Sequence, residues 1–428
     1  MQKWLFLIVF CWLHPAAIAS HELSLSRQNN LNPTQAGLEF SGTSFPNNLQ
    51  FDLVNFSTPL NFSSAKFLNN VAFRWATFSQ AAEFTYATFN GYSDFRGAKF
   101  LAKSHFTHTN FKDVSFLYTD FLTAAFSFAT FSQTANFNNA TFAKFANFTN
   151  ANFDHGVKFI NVTFNGHVDF DYVGFGESAD FSGTNFNASV SFVNSILPEK
   201  LNFARATIST LLDLREALPP PSGLKCKINL LGTDITKVRL RYQDFQLDFP
   251  PETSLEDIQY LYQSLLDSLK TTGDMISYNI LYLEYQHYKY AIADKNIIGS
   301  LNEYFWNYGL DPSRGFLWIA AIIFILSLGN ACFLDWLLEN TFDINFLKHN
   351  HEYLTQYSHY RRWWLIRLID DLPKSVVYTT LIFFGGFLGV KREIEKIKSR
   401  NLMINFYIVL IILSGLFANM FIFRYVLG

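Results

Sequence analysis

The chain has little cysteine and little net charge, and both shortages exclude classes of function. It has three cysteines in 428 residues, of which Cys11 lies near the start, Cys332 in an apolar run and Cys226 between them. Neither a disulfide framework nor a cysteine zinc site can be assembled from them. The formal net charge is −2, so there is no basic excess to neutralise nucleic-acid phosphates. We therefore expect no nucleic-acid partner.

The sequence also lacks the common signatures of catalysis. It contains no phosphate-binding glycine loop, no nucleophile elbow and no pair of carboxylates at a catalytic spacing. His349, His351 and His359 lie near Glu352, but not in a metalloprotease arrangement, and we interpret them as polar residues beside a membrane. The sequence predicts a protein that is not an enzyme and uses no cofactor, metal or small-molecule substrate.

Residues 1–19 have the pattern of a secretory signal peptide. Lys3 precedes an apolar run from Trp4 to Leu13, and small residues follow as far as Ala19. The run is shorter than the roughly 20 residues that cross a bilayer, so we predict cleavage after Ala19. An uncleaved anchor is the alternative, and both place the next domain outside the cytoplasm. A leader of this kind suits a bacterium.

The full chain has 49 phenylalanines. In its first half they recur at fixed intervals. The spacing alternates between five and six across residues 51–111, stays at five across 116–131, and alternates again across 137–192. A small or β-branched residue, such as Ala65 or Val157, stands two positions before most of them. Neither the helical period nor the strand period fits this pattern. It predicts a repeat solenoid instead.

A chain that turns every five or six residues can direct one large and one small side chain inward on each side of a coil. Four sides take about 22 residues, so residues 39–210 predict about eight coils. Each buried phenylalanine contributes about 2 to 3 kcal/mol, which explains stability without invoking function. Glu83, Asp94 and His105 recur every eleven residues and are predicted to form exposed ladders. The core is represented by Phe84, Phe89, Phe95, Phe100, Phe148 and Phe153.

The same tract carries short motifs of one type: Ala135-Asn136-Phe137, Ala146-Asn147-Phe148, Ala151-Asn152-Phe153 and Ala179-Asp180-Phe181. They match the Ala-Asp/Asn-Leu/Phe-X-X motif, and the tract resembles the pentapeptide-repeat family, with a Phe-rich composition. The resemblance implies a right-handed quadrilateral β-helix. The extra residue in alternate steps departs from the motif and leaves the shape of those corners open.

After residue 210 the pattern changes. Pro219-Pro220-Pro221-Ser222-Gly223 excludes helix, and we assign residues 211–252 to a capping and linker region. Thr253 and Glu256 form a possible capping box at the start of a helical hairpin over residues 253–296, which turns near Gly273. A single hairpin is interpreted as a spacer or an oligomerisation element.

Two apolar segments predict transmembrane helices at residues 316–334 and 402–423. The basic loop between them, residues 337–401, contains ten Lys and Arg residues, so the positive-inside rule places it in the cytoplasm. Within the loop, the uncharged segment 375–390 is too short to span easily and is predicted to be re-entrant or interfacial. These features predict a bacterial inner-membrane protein with its β-helix on the extracytoplasmic side.

A basic and aromatic segment precedes that uncharged stretch. Arg361, Arg362 and Arg367 alternate with Trp363 and Trp364, a pattern typical of a helix that lies on the membrane surface. Its cations predict contact with anionic membrane lipid.

The membrane part also resembles pentapeptide-repeat membrane proteins that carry a two-helix potassium-channel-like module. The likeness rests on Asn307-Tyr308-Gly309-Leu310, on Pro312 and Arg314, and on Ser375-Val376-Val377 with Thr380. The resemblance implies a pore loop at Thr380, Phe383, Phe384, Gly385 and Gly386. The family filter is Thr-Val-Gly-Tyr-Gly, however, and only its last glycine survives in Leu381-Ile382-Phe383-Phe384-Gly385, so the module is degenerate.

Two functions are consistent with these features. The first is a membrane-anchored, non-catalytic scaffold that binds an unknown protein partner or forms a homo-oligomer. The alternative is an oligomeric ion channel-like or mechanosensitive pore with a degenerate filter.

Overall fold

The computed structural model describes residues 37–293, 303–305, 307–334, 337, 364–384 and, within 411–418, all but 412 and 417. The signal peptide predicted at residues 1–19 lies outside the described residues. Contact clustering divides the chain into two compact units, Met1–Tyr285 and Gln286–Gly428, and each is described by itself.

The first unit is a β-solenoid whose coils stack in parallel. Strands pair with the equivalent strand of the next coil: Leu38 lies opposite Leu60 and Glu39 opposite Asn61, a step of 22 residues. Two fourteen-stranded sheets and one two-stranded sheet result from this stacking. The β-helix predicted from the phenylalanine spacing is confirmed, while its right-handed twist stays a prediction.

Thirty short strands form these sheets within residues 38–247. In chain order they are β1 Leu38–Glu39, β2 Ser44–Phe45, β3 Leu49–Gln50, β4 Asn55–Phe56, β5 Leu60–Asn61, β6 Lys66–Phe67, β7 Val71–Ala72, β8 Thr77–Phe78, β9 Ala82–Glu83, β10 Thr88–Asp94, β11 Lys99–His105, β12 Asn110–Ser115, β13 Asp120–Ala125, β14 Thr130–Phe131 and β15 Ala135–Asn136. The series continues with β16 Thr141–Phe142, β17 Ala146–Asn147, β18 Asn152–Phe153, β19 Val157–Lys158, β20 Thr163–Phe164, β21 Val168–Asp169, β22 Ser178–Asp180, β23 Asn185–Phe186, β24 Val190–Ser191, β25 Lys200–Asn202, β26 Thr207–Ile208, β27 Leu212–Asp213, β28 Cys226–Asn229, β29 Val238–Arg239 and β30 Phe245–Leu247.

The alternating steps of five and six correspond to two kinds of corner. In a five-residue step such as Phe51 to Phe56, Leu53 is left-handed with φ 63°, and the Val54 amide donates to the Phe51 carbonyl at 3.3 Å. A residue with positive φ at the third position of a tight turn is the usual way to reverse the chain. The intervening steps have six residues, and there a positive φ occurs only at glycine, at Gly156 and Gly176.

The run of plain fives is accommodated by a local shift in strand register. Between β10 and β12 the pairing slips by one residue after Phe89, and between β11 and β13 it slips after Phe100. The longer strand thus carries one unpaired residue, a β-bulge. The bulge keeps the phenylalanines aligned even though one coil is shorter than its neighbours.

The interior consists of four columns of phenylalanine rings. Rings from successive coils stack face to face: Phe84 and Phe106 lie 4.9 Å apart at 3°, and Phe78 and Phe100 lie 4.4 Å apart at 3°. Rings of opposite columns meet edge to face, as Phe84 does with Phe95 at 5.8 Å and 88°. Both arrangements are favourable for aromatic quadrupoles. The six representative core residues, Phe84, Phe89, Phe95, Phe100, Phe148 and Phe153, are 0–1% exposed.

The solenoid extends beyond the predicted end at residue 210. Strand β28 pairs with β25 through Leu201 and Ile228, and β30 then pairs with β28, so the segment assigned to a cap and linker adds coils. The solenoid has about ten turns, compared with the eight we expected. Leucine and isoleucine replace phenylalanine in these coils, and residues 219–223 form a loop that lengthens one coil without ending the stack.

The prediction that Glu83, Asp94 and His105 form an exposed ladder is wrong for its middle residue. Asp94 is only 4% exposed. The Arg96 guanidinium lies 2.7 Å from its carboxylate, and Arg74, one coil earlier, lies 4.0 Å away. A buried carboxylate is tolerated when cations compensate for its lost hydration, and these two arginines do so here. Glu83 and His105 are half-buried, with 3.4 Å between the imidazole and the carboxylate.

Two helices follow the last coil, α1 at Leu255–Thr272 and α2 at Met275–His287, within the segment predicted as a hairpin. Ser254, and not Thr253, caps α1, since its side chain accepts from the Asp257 amide. Gly273 ends α1 in the left-handed conformation at φ 76°, which favours glycine at this position. The rings of Tyr262 and Tyr285 stack 5.1 Å apart between the helices.

Shorter helical segments complete the first unit and begin the second. They are the 3₁₀ turns Ile235–Lys237, Tyr242–Asp244 and Asn307–Gly309, and a π-helical segment at Tyr288–Ala293.

In the second unit, α3 spans Pro312–Cys332 and α4 spans Trp364–Phe383. Asp311 caps α3 by accepting from the Arg314 amide at 3.2 Å. Among the described residues, α3 is the one helix long and apolar enough to cross a membrane. The transmembrane helix predicted at 402–423 is described only between 411 and 418 and lies otherwise outside the described residues.

Helix α4 differs from the expectation for its region. It runs without interruption through Pro373, joining the end of the predicted surface helix to the first half of the predicted re-entrant segment. The remainder of that segment, residues 385–390, lies outside the described residues.

Replacing one core ring tests how far the stack determines stability. We expect Phe106→Ala to lower the free energy of unfolding by about 3 to 5 kcal/mol, because the cavity removes stacking on both sides and relaxes poorly. Denaturant titration followed by circular dichroism would measure it. The matched control is Phe128→Asn, an exposed ring in the next coil, expected to change it by less than about 0.5 kcal/mol. Equal losses in the two variants would contradict this view of the core.

Candidate interaction surfaces

The solenoid interior offers no room for a ligand because stacked rings fill it, so the outer surface must carry any recognition. Among the described residues of the first unit, a shallow groove of about 280 Å³ lies between α1 and α2. Residues that line it include Leu266, Asp267, Lys270, Tyr278 and Tyr282. The groove is open to solvent.

Metal ligation has no candidate in the described part of the chain. No group of three or more His, Cys, Asp or Glu side chains there is arranged to hold an ion. Cys226 is buried, and burial raises the pKa of its thiol to about 12. A thiol that stays protonated is neither a good metal ligand nor a nucleophile.

The left-handed corners form two rows along the solenoid. Both rows lie at five-residue corners. One row contains Gly42, Ser64, Tyr86, His108, Phe128, Asn150, Tyr172 and Asn194, and the row on the opposite side of the coil contains Leu53, Trp75, Gly97, Tyr118, Asn139, Asn161, Gly183 and Arg205. Glycine and asparagine adopt this conformation most easily. Bulky aromatic residues at the same positions are therefore unusual, and they concentrate in the coils between residues 75 and 128.

Three of these residues stack into a continuous row on the surface, which we call the aromatic ladder: Tyr86, His108 and Phe128, of which His108 is half-buried. The rings of Tyr86 and His108 lie 4.6 Å apart at 5°, and those of His108 and Phe128 lie 4.7 Å apart at 11°. Tyr86 is 58% exposed and Phe128 48%. The flanking positions Thr85, Thr107 and Ser127 are uncharged.

The second row is less regular. Trp75 is 58% exposed and Tyr118 is 54% exposed, but Gly97 separates them. The Trp75 indole lies against Gly97, where a Cβ would come within 2.3 Å of the ring. Only glycine leaves that space. Arg74 and Arg96 flank this corner and pair with Asp52 and Asp94, so ion-paired side chains lie beside it.

Ion pairs between side chains two residues apart or one coil apart recur on the solenoid surface. Arg74 pairs closely with Asp52 in the preceding coil, and Arg215 pairs with Asp213 at 2.6 Å. The hydrogen bond from Arg215 holds the pKa of the Asp213 carboxyl below its usual value of 3.8. These pairs satisfy one another, which favours a structural role over a binding role.

Polar side chains also meet inside the second unit, along the contact between α3 and α4. Asn330 donates to the Thr379 hydroxyl at 2.8 Å, and the Ser375 hydroxyl donates to the Ser327 carbonyl at 2.5 Å. On α4, Lys374 lies 3.6 Å from the buried carboxylate of Asp371. We call this row the polar seam. An apolar cluster that includes Leu334, Tyr378 and Phe383 continues beyond it.

The predicted pore-loop residues do not form an extended filter where they are described. Thr380 and Phe383 lie in α4, and the Thr380 carbonyl accepts the Phe384 amide at 3.0 Å. A selectivity filter needs carbonyls that are free to face an ion, whereas these are used by the helix. Gly385 and Gly386 lie outside the described residues.

The predicted lipid-binding arginines remain a prediction. Arg361 and Arg362 lie outside the described residues, and Arg367 falls in α4, where its side chain is not described.

Sequence reasoning missed the aromatic ladder and the polar seam. A signal for the ladder was present, since Tyr86, His108 and Phe128 all stand two residues after a core phenylalanine. The seam had a weaker signal, because Ser327 and Asn330 interrupt an otherwise apolar run at a helical spacing of three.

The Asp213–Arg215 pair gives a prediction for acid stability. A carboxyl whose folded pKa is depressed contributes stability that is full above its unfolded pKa and is lost as the pH falls through the folded value. We expect the wild-type protein to unfold at a higher temperature than Asp213→Asn at pH 6, and we expect the difference to shrink below about pH 3.8. Thermal scans from pH 6 to pH 2.5 would measure it, with the exposed residue Asp154→Asn as the control. A difference that is independent of pH would contradict the assignment.

Comparison with known proteins agrees with the geometry of the solenoid. The family model described as "Pentapeptide repeats (9 copies)" matches residues 40–88, which lie within its first coils. No curated protein matches the chain. The match supports the pentapeptide-repeat family as the origin of the β-solenoid.

Proposed function

We propose that this protein is a membrane-anchored, non-catalytic scaffold that presents its solenoid for interaction on the extracytoplasmic side of a bacterial inner membrane. The observation that carries the proposal is the filled interior: stacked phenylalanines occupy the space in which a substrate would bind. A rigid, closed rod can still recognise partners through its outer surface, as repeat solenoids commonly do.

The exposed side chains of α3 support membrane anchoring. Its most apolar 18-residue window has a mean hydropathy of 2.0, and 22% of that window is buried inside the protein. Leu317, Phe324 and Ile325 are 51–71% exposed. Side chains of this size on a soluble helix would be costly in water, and a bilayer would cover them.

The polar seam is consistent with the same environment. In hydrocarbon, polar side chains must find partners within the protein because no water is present to hydrate them. Asn330 and Ser327 of α3 meet Thr379 and Ser375 of α4, so they are turned away from lipid. The anchor would then consist of a helix pair, with the predicted Arg361, Arg362 and Arg367 contacting lipid headgroups.

The side of the membrane is inferred from the sequence. The predicted leader directs the solenoid outward, and the ten cations between the two predicted spans keep that loop in the cytoplasm. We do not extend the proposal to an ion pore, because the described filter positions are helical.

Cysteine labelling tests this topology. In a background with Cys11, Cys226 and Cys332 replaced by Ala, single cysteines would be placed at Lys144 on the solenoid and at Ser358 and Ser399 in the basic loop. On intact spheroplasts, we expect a membrane-impermeant maleimide to label Lys144→Cys, because Lys144 is exposed. Labelling of the loop positions should require permeabilisation.

Two controls complete the experiment. Permeabilised membranes should label all three variants, and a variant at Phe106, which is 0% exposed, should label in none. Labelling of Ser358→Cys and Ser399→Cys without Lys144→Cys would place the solenoid in the cytoplasm and refute the proposal.

A further inference from the structure

The aromatic ladder is not required by the fold. The same left-handed corner is occupied by Asn150 and Asn194 in later coils and by Gly42 in the first coil, and these residues adopt the conformation with less strain. Tyr86, His108 and Phe128 instead combine a left-handed backbone with rings that are exposed at Tyr86 and Phe128 and half-buried at His108. Strained positions that hold exposed aromatic residues are more typical of recognition surfaces than of structural ones.

The ring geometry limits what the ladder can recognise. Because the three rings stack on one another at 4.6 and 4.7 Å, their faces are largely covered and their edges point outward. A sugar or a flat ligand that stacks on an open aromatic face is therefore disfavoured. Ring edges carry partial positive charge and pack well against the aromatic rings of another protein.

The corner segments of the ladder contain no charged residue in three successive coils, and the nearest carboxylate in sequence, that of Glu83, accepts a hydrogen bond from Thr85 at the edge of the first segment. The corner segments 85–88, 107–110 and 127–130 contain Thr, Ser, Asn and Ala besides the three rings, and no Asp, Glu, Lys or Arg. A neutral surface can meet an identical surface without like-charge repulsion, which is a requirement for a symmetric contact. The opposite corner differs, because the ion-paired side chains of Arg74 and Arg96 lie beside it.

The spacing of the rungs also points to a second copy. Successive rings of the ladder lie 4.6 to 4.7 Å apart. A partner can contact all three rings in the same way only if its own contact groups repeat at this distance. The solenoid of a second copy of this chain has that repeat. A two-fold axis along the rod places each ring beside its own counterpart.

From these observations we propose that Tyr86, His108 and Phe128 form a self-association surface through which two solenoids pair side by side and parallel. The proposal deepens the scaffold function above by naming a second copy of this chain as a partner, and it rests on the membrane anchoring proposed there. Three ring edges on a convex corner bury much less than the roughly 1,200 Å² of a stable complex. Pairing therefore depends on the high effective concentration that a shared membrane provides.

Cross-linking of the full-length protein in its own membranes tests the proposal. In the background without native cysteines, Thr107→Cys places a thiol beside His108 and leaves all three rings intact. Leu117→Cys is the matched control, because it occupies the equivalent position beside Tyr118 at the opposite corner. With a short bifunctional maleimide, we expect Thr107→Cys to give a species of twice the monomer mass and Leu117→Cys to give none.

A second variant tests the rings themselves. Tyr86→Asn, His108→Asn and Phe128→Asn, introduced together into Thr107→Cys, place at each corner a residue that the chain already uses there. We expect the dimer yield to fall about tenfold, as loss of interface anchors does. The thermal midpoint should not fall, which would exclude unfolding as the cause.

Several outcomes would overturn the proposal: no dimer from Thr107→Cys, an equal yield from Leu117→Cys, an unchanged yield in the triple Asn variant, or an adduct whose mass shows a different protein. Fractionation separates this failure from that of the proposed function. If the protein is found in the membrane fraction and forms no ladder-dependent dimers, the self-association proposal alone is refuted. If the protein is found in the soluble fraction, the proposed membrane anchoring is refuted. Ladder-dependent dimers in that fraction would show that pairing does not need membrane anchoring.

Discussion

Face-to-face stacking of phenylalanine between successive coils is the interaction on which the solenoid depends. Rings stack well only when each coil returns the chain to the same position after one turn, so stacking sets the length of the coil and the strand register together. The bulges after Phe89 and Phe100 illustrate this constraint. There the strands give up regular pairing for one residue, and the ring columns remain continuous.

The parts of the fold that could be predicted from sequence are those set by this one interaction. The interval between phenylalanines predicted the β-helix and its core, because every coil repeats the same requirement. The end of the solenoid could not be predicted in this way, since Ile228 and Leu240 continue the interior without phenylalanine. Burial of Asp94 was also missed, because it depends on Arg74 in the preceding coil, and that proximity becomes apparent only once the coil length is known.

The aromatic ladder shows how a repeat can separate stability from recognition. Inward positions are constrained by packing and vary little, whereas each left-handed corner is constrained only in its backbone. Glycine and asparagine satisfy that backbone requirement best, so departures from them mark positions where another requirement applies. Tyr86 and Phe128 differ in this way from Asn150 and Asn194 of the same row.

The helix pair of the second unit shows why the sequence did not predict the continuity of α4. The alternation of arginine and tryptophan before it favoured a surface helix, and the uncharged run 375–390 favoured a separate re-entrant or interfacial segment. In the folded protein Lys374 lies 3.6 Å from Asp371, and the two side chains are 13% and 1% exposed. An internally paired acid and base cost less to bury than two isolated charges. Helix α4 can therefore continue through both residues and join the two segments that the sequence separated.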